Sequence, residues 1–189
     1  RPMHPPTAAL MDDPIIAADK NEESLAAALE SERETIFLLS STLLNVHDIV
    51  ARIHAAGKRA IVHIDLVEGL SSRTIAVDAL VAACGPDGII STHPNLIRHA
   101  HTLGLLTIQR AFVLDSLSLD TLFSQQSLCQ PDFIEVLPGI MPPIITEISQ
   151  KTQTPLIAGG LIRTKQDVLS AMNAGAAAVS TSARSVWKL

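Results

Sequence analysis

Aromatic residues are scarce in this chain of 189 residues, which contains four Phe, one Trp and no Tyr. Sheets that recognise single-stranded RNA present several aromatic rings on which bases stack. No RNA-recognition motif of that kind is present, and a net charge of −5 provides no overall positive field for nucleic acid. A contact with RNA would therefore depend on a local basic patch.

Cysteine and long apolar runs are scarce as well. Cys84 and Cys129 are far apart and form no C-x-x-C pair, which is typical of reduced structural thiols in a cytoplasmic protein. The chain contains no run of about 18 apolar residues, so no membrane span is predicted. Hydrophobic residues make up 47% of the chain and charged residues 17%, as in globular domains. We expect a flexible leader over residues 1–12 and one domain over residues 13–189.

Short apolar runs, many of them β-branched, alternate with helical patterns along the chain. Six strands are predicted at residues 14–18, 35–39, 60–65, 88–91, 105–110 and 132–136. Two more follow, and they end at Ala158-Gly159-Gly160 and at Thr181-Ser182. Helical patterns separate the strands, and only a stub at residues 185–189 follows the last one.

This alternation predicts an α/β fold, specifically a compact, single-domain (β/α)8 TIM-type barrel. The strands are nearly continuous apolar runs, as expected when both faces of a sheet are buried. A doubly wound open sheet would give the same alternation. However, the glycine-rich turn follows the seventh strand rather than the first, which argues against a Rossmann sheet.

Small residues at the ends of the last two strands predict a phosphate site. Backbone N–H groups at these two neighbouring strand ends hold phosphate in many (β/α)8 barrels. Glycine matters here because a Cβ would block the approach of the backbone to the ligand. The residues expected at this site are Ala158, Gly159, Gly160, Thr181 and Ser182, with Arg163 or Arg184 nearby.

Polar residues near the ends of the middle strands are candidates for the rest of a ligand site, namely His63, Asp65, Gln109, Arg110 and Glu135. One interpretation is that they line the barrel mouth and bind hydroxyl groups. The other is an internal hydrogen-bonded network. Carboxylates in buried strands are rare unless paired, so Asp65 and Glu135 favour a site. No spacing demands a metal ion, and no metal site is predicted. No lysine falls within a strand, where a Schiff-base aldolase would need one.

Five segments together resemble a known family. They read HIDLVEGL (63–70), IIST (89–92), IQRAFVLDS (108–116), PDFIEVLPG (131–139) and AGGLIRT (158–164). In this order they resemble the glycerol-3-phosphate-responsive antiterminators, regulators of bacterial glycerol-uptake operons. The resemblance extends over nearly the whole chain after residue 13.

The resemblance implies a cytoplasmic regulatory protein on an enzyme-type fold, without catalytic activity or cofactor. Its partners would be glycerol 3-phosphate as effector and the leader mRNA of glycerol operons, and an oligomer is compatible with it. Candidate RNA contacts are Arg52, Lys58, Arg59 and Arg98, although ordinary solvated helix faces are the preferred explanation for these residues. The alternative function is a barrel enzyme, an isomerase or a phosphodiester hydrolase, that uses Asp65 and Glu135 as acid and base.

Overall fold

Eight parallel strands close into a barrel in the computed structural model, which describes residues 5–189. The barrel strands are β1 (Ile15–Asp19), β2 (Thr35–Leu38), β4 (Arg59–His63), β6 (Gly88–Ser91), β7 (Leu106–Phe112), β8 (Phe133–Leu137), β9 (Leu156–Gly159) and β10 (Ala178–Thr181). They are neighbours in chain order, and β10 pairs with β1 to close the ring. Two short strands, β3 (Ser41–Thr42) and β5 (Val67–Glu68), form a separate parallel pair.

Helices surround this barrel. They are α1 (Pro5–Asp12), α2 (Glu22–Glu30), α3 (Val46–Ala55), α4 (Thr74–Cys84), α5 (Pro94–Thr102), α6 (Ser116–Cys129), α7 (Pro142–Lys151) and α8 (Lys165–Ala174). A 3-10 turn at Val186–Lys188 follows β10, where a terminal stub was expected. No helix within residues 5–189 has the length and apolar content to cross a membrane. The predicted single-domain (β/α)8 barrel is confirmed.

Strand alternation divides the apolar residues into two clusters. One set points into the barrel, where Phe37, Ile108 and Phe133 are fully buried. The other set points outward and packs under the helices, for example Val62 and Ile134. Because both faces are covered, the strands read as continuous apolar runs in the sequence. Polar side chains on the inward face are therefore placed near the mouth, where the apolar filling ends.

Side-chain caps start three of the helices. Asn21, Asp115 and Thr164 each accept a hydrogen bond from the backbone N–H three residues later. The residue at that third position bonds back to the cap in each case, which is the capping-box arrangement. These caps fix where the loops after β1, β7 and β9 end.

The leader predicted for residues 1–12 is helical from Pro5 onward, and residues 1–4 lie outside the described residues. Leu10 of this helix is 1% exposed and packs with Ile16 and Phe37 in the cluster inside the barrel. An apolar side chain there covers the bottom layer of the barrel, which water would otherwise reach. Pro5 and Pro6 suggested a loop rather than this helix, although proline is tolerated in a first helical turn.

Candidate ligand site at the barrel mouth

A cavity of about 370 Å³ opens at the C-terminal ends of β1, β8, β9 and β10. Three basic side chains line it, Lys20, Arg110 and Arg163, against one carboxylate, Glu135. The cavity is therefore locally cationic although the whole chain carries a net charge of −5. This end of a (β/α)8 barrel is also where ligands bind. The arrangement favours a small anion.

Glu135 is the buried anchor of the cavity. Its side chain is 3% exposed, and its Oε2 accepts a 2.8 Å hydrogen bond from Ser180 Oγ. Burial raises the pKa of this carboxyl, while Arg110 and the Ser180 hydroxyl act in the opposite direction. Gly159 makes room for the carboxyl, because a Cβ there would lie 3.0 Å from Glu135 Cδ and 2.7 Å from Ser180 Oγ.

Arg110 faces Glu135 from the neighbouring strand β7. Arg110 Nε lies 3.1 Å from Glu135 Oε1, which makes an ion pair. The Nε–H does not point at that oxygen, so neither atom has a hydrogen-bond partner among the described residues. Buried polar atoms usually have such a partner. A hydroxyl of a bound molecule could satisfy both atoms, by accepting from Nε and donating to Oε1.

His63 lies on the inward face of β4 and is 3% exposed. Burial lowers the pKa of its imidazole to about 4, and the nearby positive charge of Arg110 contributes. The ring is therefore neutral at physiological pH. Its Nδ1 makes no hydrogen bond within the described part of the chain. His63 does not line the mouth cavity, so its position is in the barrel interior rather than at the rim.

The backbone turns sharply after β9. Gly160 has a φ of +80°, and the next residue, Leu161, has a φ of +63°, which is uncommon for a residue with a Cβ. Gly139 donates its N–H to the Gly160 carbonyl at 3.0 Å, and a Cβ on Gly139 would lie 2.8 Å from Gly159 N. The loops after β8 and β9 are thus packed backbone to backbone, which holds the turn at the cavity edge.

Thr181 ties the last two loops together. Its Oγ1 donates to the Ile162 carbonyl at 2.6 Å and accepts from Ala183 N at 3.0 Å. Its own carbonyl accepts from Trp187 Nε1 at 2.7 Å. The proton of the Thr181 hydroxyl is thus committed to the Ile162 carbonyl, so the side chain mainly fixes the position of the loop.

The comparison with known proteins identifies the family. The model described as "Glycerol-3-phosphate responsive antiterminator" matches residues 15–187.

This chain belongs to that family.

Two solved structures and one further relative are similar to this antiterminator-family chain. The glycerol uptake operon antiterminator regulatory protein of Listeria monocytogenes str. 4b F2365 is 38% identical, with a TM-score of 0.89 over 92% of this chain and 94% of that one. A glycerol uptake operon antiterminator-related protein of Thermotoga maritima MSB8 is 31% identical, with a TM-score of 0.83 over 93% and 98%. "Uncharacterized protein YgcP" of Escherichia coli (strain K12) is 39% identical over 180 residues, 95% of this chain and 94% of that protein.

The structure of this family member brings most of the predicted ligand residues together. Arg110, Glu135, Gly160, Arg163, Thr181 and Ser182 all line the mouth cavity. Lys20, which was not anticipated, lines it too, and so does Ser180, the partner of Glu135. The inward position of Ser180 could have been read from strand alternation. Nothing in the sequence near Lys20 signals its proximity to the last two strands.

Two predicted ligand residues face away from the mouth. Gln109 is 1% exposed and turns toward α6, where its Nε2 lies 3.5 Å from the Leu122 carbonyl. Its Oε1 faces the Cys129 thiol at 3.8 Å. Ala158 packs in the outer apolar cluster under the helices. Alternation along β7 and β9 accounts for both positions, since Arg110 and Gly159 take the inward places next to them.

Asp65 lies at the mouth end of the barrel but in a 3-10 turn, Ile64–Leu66, rather than in the strand. Its two oxygens accept hydrogen bonds from Ser91 Oγ at 2.6 Å, Thr92 N at 2.7 Å and Thr92 Oγ1 at 2.9 Å. It does not line the mouth cavity. The carboxylate fixes the end of β6 and leaves less capacity for a ligand hydroxyl than predicted.

The four basic residues predicted to contact RNA do not form one patch. Arg52 pairs with Glu22 at 2.7 Å, and Arg59 pairs with Glu34 at 3.0 Å. Lys58 donates from Nζ to two backbone carbonyls at 2.6 and 2.5 Å, and burial lowers its pKa. Arg98 is exposed on α5, apart from the others. Three of the four charges are thus already engaged within the chain. The structure supplies no reason to assign RNA contact to this set.

The predicted phosphate partner Arg184 is also engaged elsewhere. Its Nη2 lies 3.2 Å from Glu23 Oε1, and the residue does not line the mouth cavity. Arg163, the other candidate, does line it. The Arg163 backbone N–H donates to Asp167 Oδ2 at 2.9 Å, which anchors this part of the loop after β9 to the start of α8.

Proposed function

We propose that this chain is an effector-controlled antiterminator that binds glycerol 3-phosphate in the mouth cavity and acts on the leader mRNA of glycerol-uptake genes. The observation that carries the proposal is the cationic cavity built on the turns after β9 and β10, in a chain of this family. The Listeria protein that it resembles is described as a regulator of a glycerol uptake operon. A regulator of a transcript works in the cytoplasm, where we place this chain.

Each part of the effector has a matching group in the cavity. The phosphate would lie against the backbone at Gly160 and Ser182, with Arg163 and Lys20 supplying positive charge. The glycerol hydroxyls would reach Glu135 Oε1 and Arg110 Nε, the two buried atoms without hydrogen-bond partners. Desolvated polar atoms of this kind reject a ligand that cannot pair with them. Inorganic phosphate should therefore bind more weakly than glycerol 3-phosphate.

A glycine substitution tests the phosphate contact. Gly160→Ala places a methyl group at φ +80°, 3.3 Å from Leu137 Cδ2, on the edge of the cavity. We expect the melting-temperature increase induced by 5 mM glycerol 3-phosphate, on the order of a few degrees for a ligand far above its Kd, to fall sharply. Scanning fluorimetry with glycerol 3-phosphate, phosphate and glycerol measures it.

Gly104→Ala is the matched control. Gly104 has nearly the same φ, +79°, but a Cβ there would meet no atom within 4 Å. It carries the same backbone strain without touching the cavity, so its ligand-induced shift should equal that of the wild-type protein. No shift in the wild-type protein would contradict effector binding, and equal shifts in both variants would contradict the phosphate position.

One observation favours the alternative of a barrel enzyme. The raised pKa of the buried Glu135 suits a general acid. The second carboxylate that such an enzyme would use, Asp65, is held by three hydrogen bonds at the end of β6. Turnover of phosphorylated trioses or glycerophosphodiesters, lost in Glu135→Gln, would establish the enzyme and contradict a purely regulatory role.

A further inference from the structure

Phe112 at the end of β7 is the one exposed aromatic side chain of Phe, Trp or Tyr type within residues 5–189, which contain all five such residues of the chain. It is 50% exposed, whereas Phe37, Phe133 and Trp187 are buried. Phe123 is half-buried beneath Lys151, whose Nζ lies 5.7 Å from its ring centre. Leu114 and Leu117 line the same groove as Phe112 and are exposed as well, so the three side chains form an apolar patch, and such patches mark interaction sites.

The ring of Phe112 forms one wall of this groove, of about 430 Å³, between the loops after β6 and β7. Leu114 and Leu117, 82% and 73% exposed, extend the apolar wall. Thr92, Thr121 and Gln125 line the same groove. The two threonine hydroxyls donate to Asp65 Oδ2 and to the Leu117 carbonyl and can still accept a hydrogen bond, and Gln125 adds an amide. A flat apolar surface edged by neutral hydrogen-bonding groups fits a planar ring with a polar edge.

The charge in the groove also fits a nucleotide. The Arg110 guanidinium, which also pairs with Glu135, lies over Phe112 with Cζ 5.2 Å from the ring centre, so a cation adjoins the ring. Unpaired bases stack on rings and guanidinium planes, and the cation is complementary to the adjoining phosphate. The acid in the groove, Asp115, accepts a 2.8 Å hydrogen bond from Ser118 N as the cap of α6, which partly compensates its charge.

Arg110 connects this groove with the effector cavity. Its side chain lines both, because it contacts Glu135 at 3.1 Å on one side and Phe112 on the other. A ligand hydroxyl that accepts from Arg110 Nε and donates to Glu135 Oε1 would fix the guanidinium in one position over the ring. The groove would then be preorganised for a base only when the effector is bound.

We propose that an unpaired base of the leader RNA docks in this groove against Phe112, and that Arg110 couples its binding to the effector. This rests on the proposed function. Since linkage is reciprocal, RNA must strengthen effector binding by the factor by which the effector strengthens RNA binding.

The test of the groove is Phe112→Leu, which keeps an apolar side chain but removes the stacking surface. Fluorescence anisotropy with a fluorescein-labelled glycerol-operon leader transcript, at saturating glycerol 3-phosphate, should show affinity about tenfold weaker. The thermal shift with glycerol 3-phosphate should remain that of the wild-type protein. Leu128→Ala, an exposed apolar residue at the far end of α6, is the control and should bind RNA normally.

The test of the coupling is Arg110→Lys, which keeps the charge but loses the planar group shared by both sites. The ratio of RNA affinities with and without glycerol 3-phosphate should fall toward one. A ratio equal to that of the wild-type protein would overturn the coupling.

The remaining outcomes separate the two proposals. If the wild-type protein binds the transcript and Phe112→Leu binds it equally well, the groove is overturned while the proposed function stands. If the wild-type protein shows the thermal shift but binds no transcript, RNA recognition itself fails. If sedimentation shows that Phe112→Leu turns a dimer into a monomer, the groove is a subunit interface and the proposal is overturned.

Discussion

The carboxyl of Glu135 shows how single residues set the properties of the mouth. A buried carboxylate is costly unless it is paired, and here Arg110 and Ser180 pair it while the missing side chain of Gly159 makes room. The pairing is incomplete, since Oε1 lacks a hydrogen bond. A buried oxygen without a hydrogen-bond donor is destabilising, so a ligand that brings a hydroxyl group to Glu135 has an advantage over a bare anion.

His63 gives a residue-scale prediction on pH. Its pKa is lowered to about 4, below the ordinary value of 6.5, because burial disfavours the charged ring. The unfolded chain therefore takes up a proton before the folded chain does. Above pH 6.5 the ring is neutral in both states, and His63 does not reduce the free energy of unfolding. That free energy decreases as the pH falls from 6.5 toward 4, because only the unfolded chain is then protonated at His63. At pH 4.5 this loss amounts to about 2–3 kcal/mol.

Urea unfolding of His63→Gln at pH 7.5 and pH 4.5 measures that contribution. Glutamine does not titrate in this range. Between pH 7.5 and pH 4.5 the variant should therefore lose about 2–3 kcal/mol less of its free energy of unfolding than the wild-type protein does. His47→Gln, whose side chain is 65% exposed, should keep the wild-type pH dependence. Identical pH dependence in all three proteins would show that His63 is not buried in its neutral form.

At the scale of elements, the strand ends are joined by side chains from neighbouring turns. Asp65 in the turn after β4 holds the end of β6, and Thr181 at the end of β10 holds the loop after β9. Such bonds keep the loops of the mouth in place before a ligand arrives, which lowers the entropy lost on binding. Each loop of the mouth named here is thus held by a side chain from a neighbouring βα unit.

Asp65→Asn tests this role. The neutral amide can keep its oxygen toward Thr92 N and Thr92 Oγ1 and donate from its NH2 to Ser91 Oγ, so all three bonds lose the charge of the carboxylate. We expect a loss of about 2–3 kcal/mol in the free energy of unfolding, as for hydrogen bonds to a charged group. Asp48→Asn, on an exposed side chain, should change it by less than about 0.5 kcal/mol. If the variant keeps its stability but no longer binds glycerol 3-phosphate, Asp65 contacts the ligand instead, as first predicted.

At the scale of the whole molecule, the two ends of the barrel differ: one is closed by a helix and the other contains the cavity. The bottom is covered by α1, whose Leu10 enters the interior cluster, and the top keeps a cavity with three basic side chains. The charge of the chain, −5, is therefore unevenly distributed. The three basic side chains favour a small anion at the mouth.

Leu10→Ala tests the cover. The side chain is 1% exposed, so the cavity left by truncation should cost about 2–4 kcal/mol in urea unfolding. Leu44→Ala, at a residue 94% exposed, is the control and should cost about 0.5 kcal/mol or less. If both variants are equally stable, α1 does not seal the barrel in solution.

The sequence by itself determined the order of the elements and the type of the fold. Eight apolar runs at regular intervals can bury both faces only in a parallel, helix-covered sheet, and the late glycine turn at Gly159 and Gly160 favoured a barrel. The family could also be recognised, because five short motifs occur in the same order. These are local properties of the chain, and they do not depend on which residues meet across the barrel.

Only the tertiary structure decided which polar residues form the site. Alternation along β7 places Gln109 and Arg110 on opposite faces, but only the closed barrel shows that Gln109 lies on the face toward α6 and Arg110 on the face toward Glu135. The structure likewise brought Lys20 from the first βα loop to the last two strands. Closing the ring joins β1 to β10, and contacts between residues so far apart in the chain leave no periodic signal in the sequence.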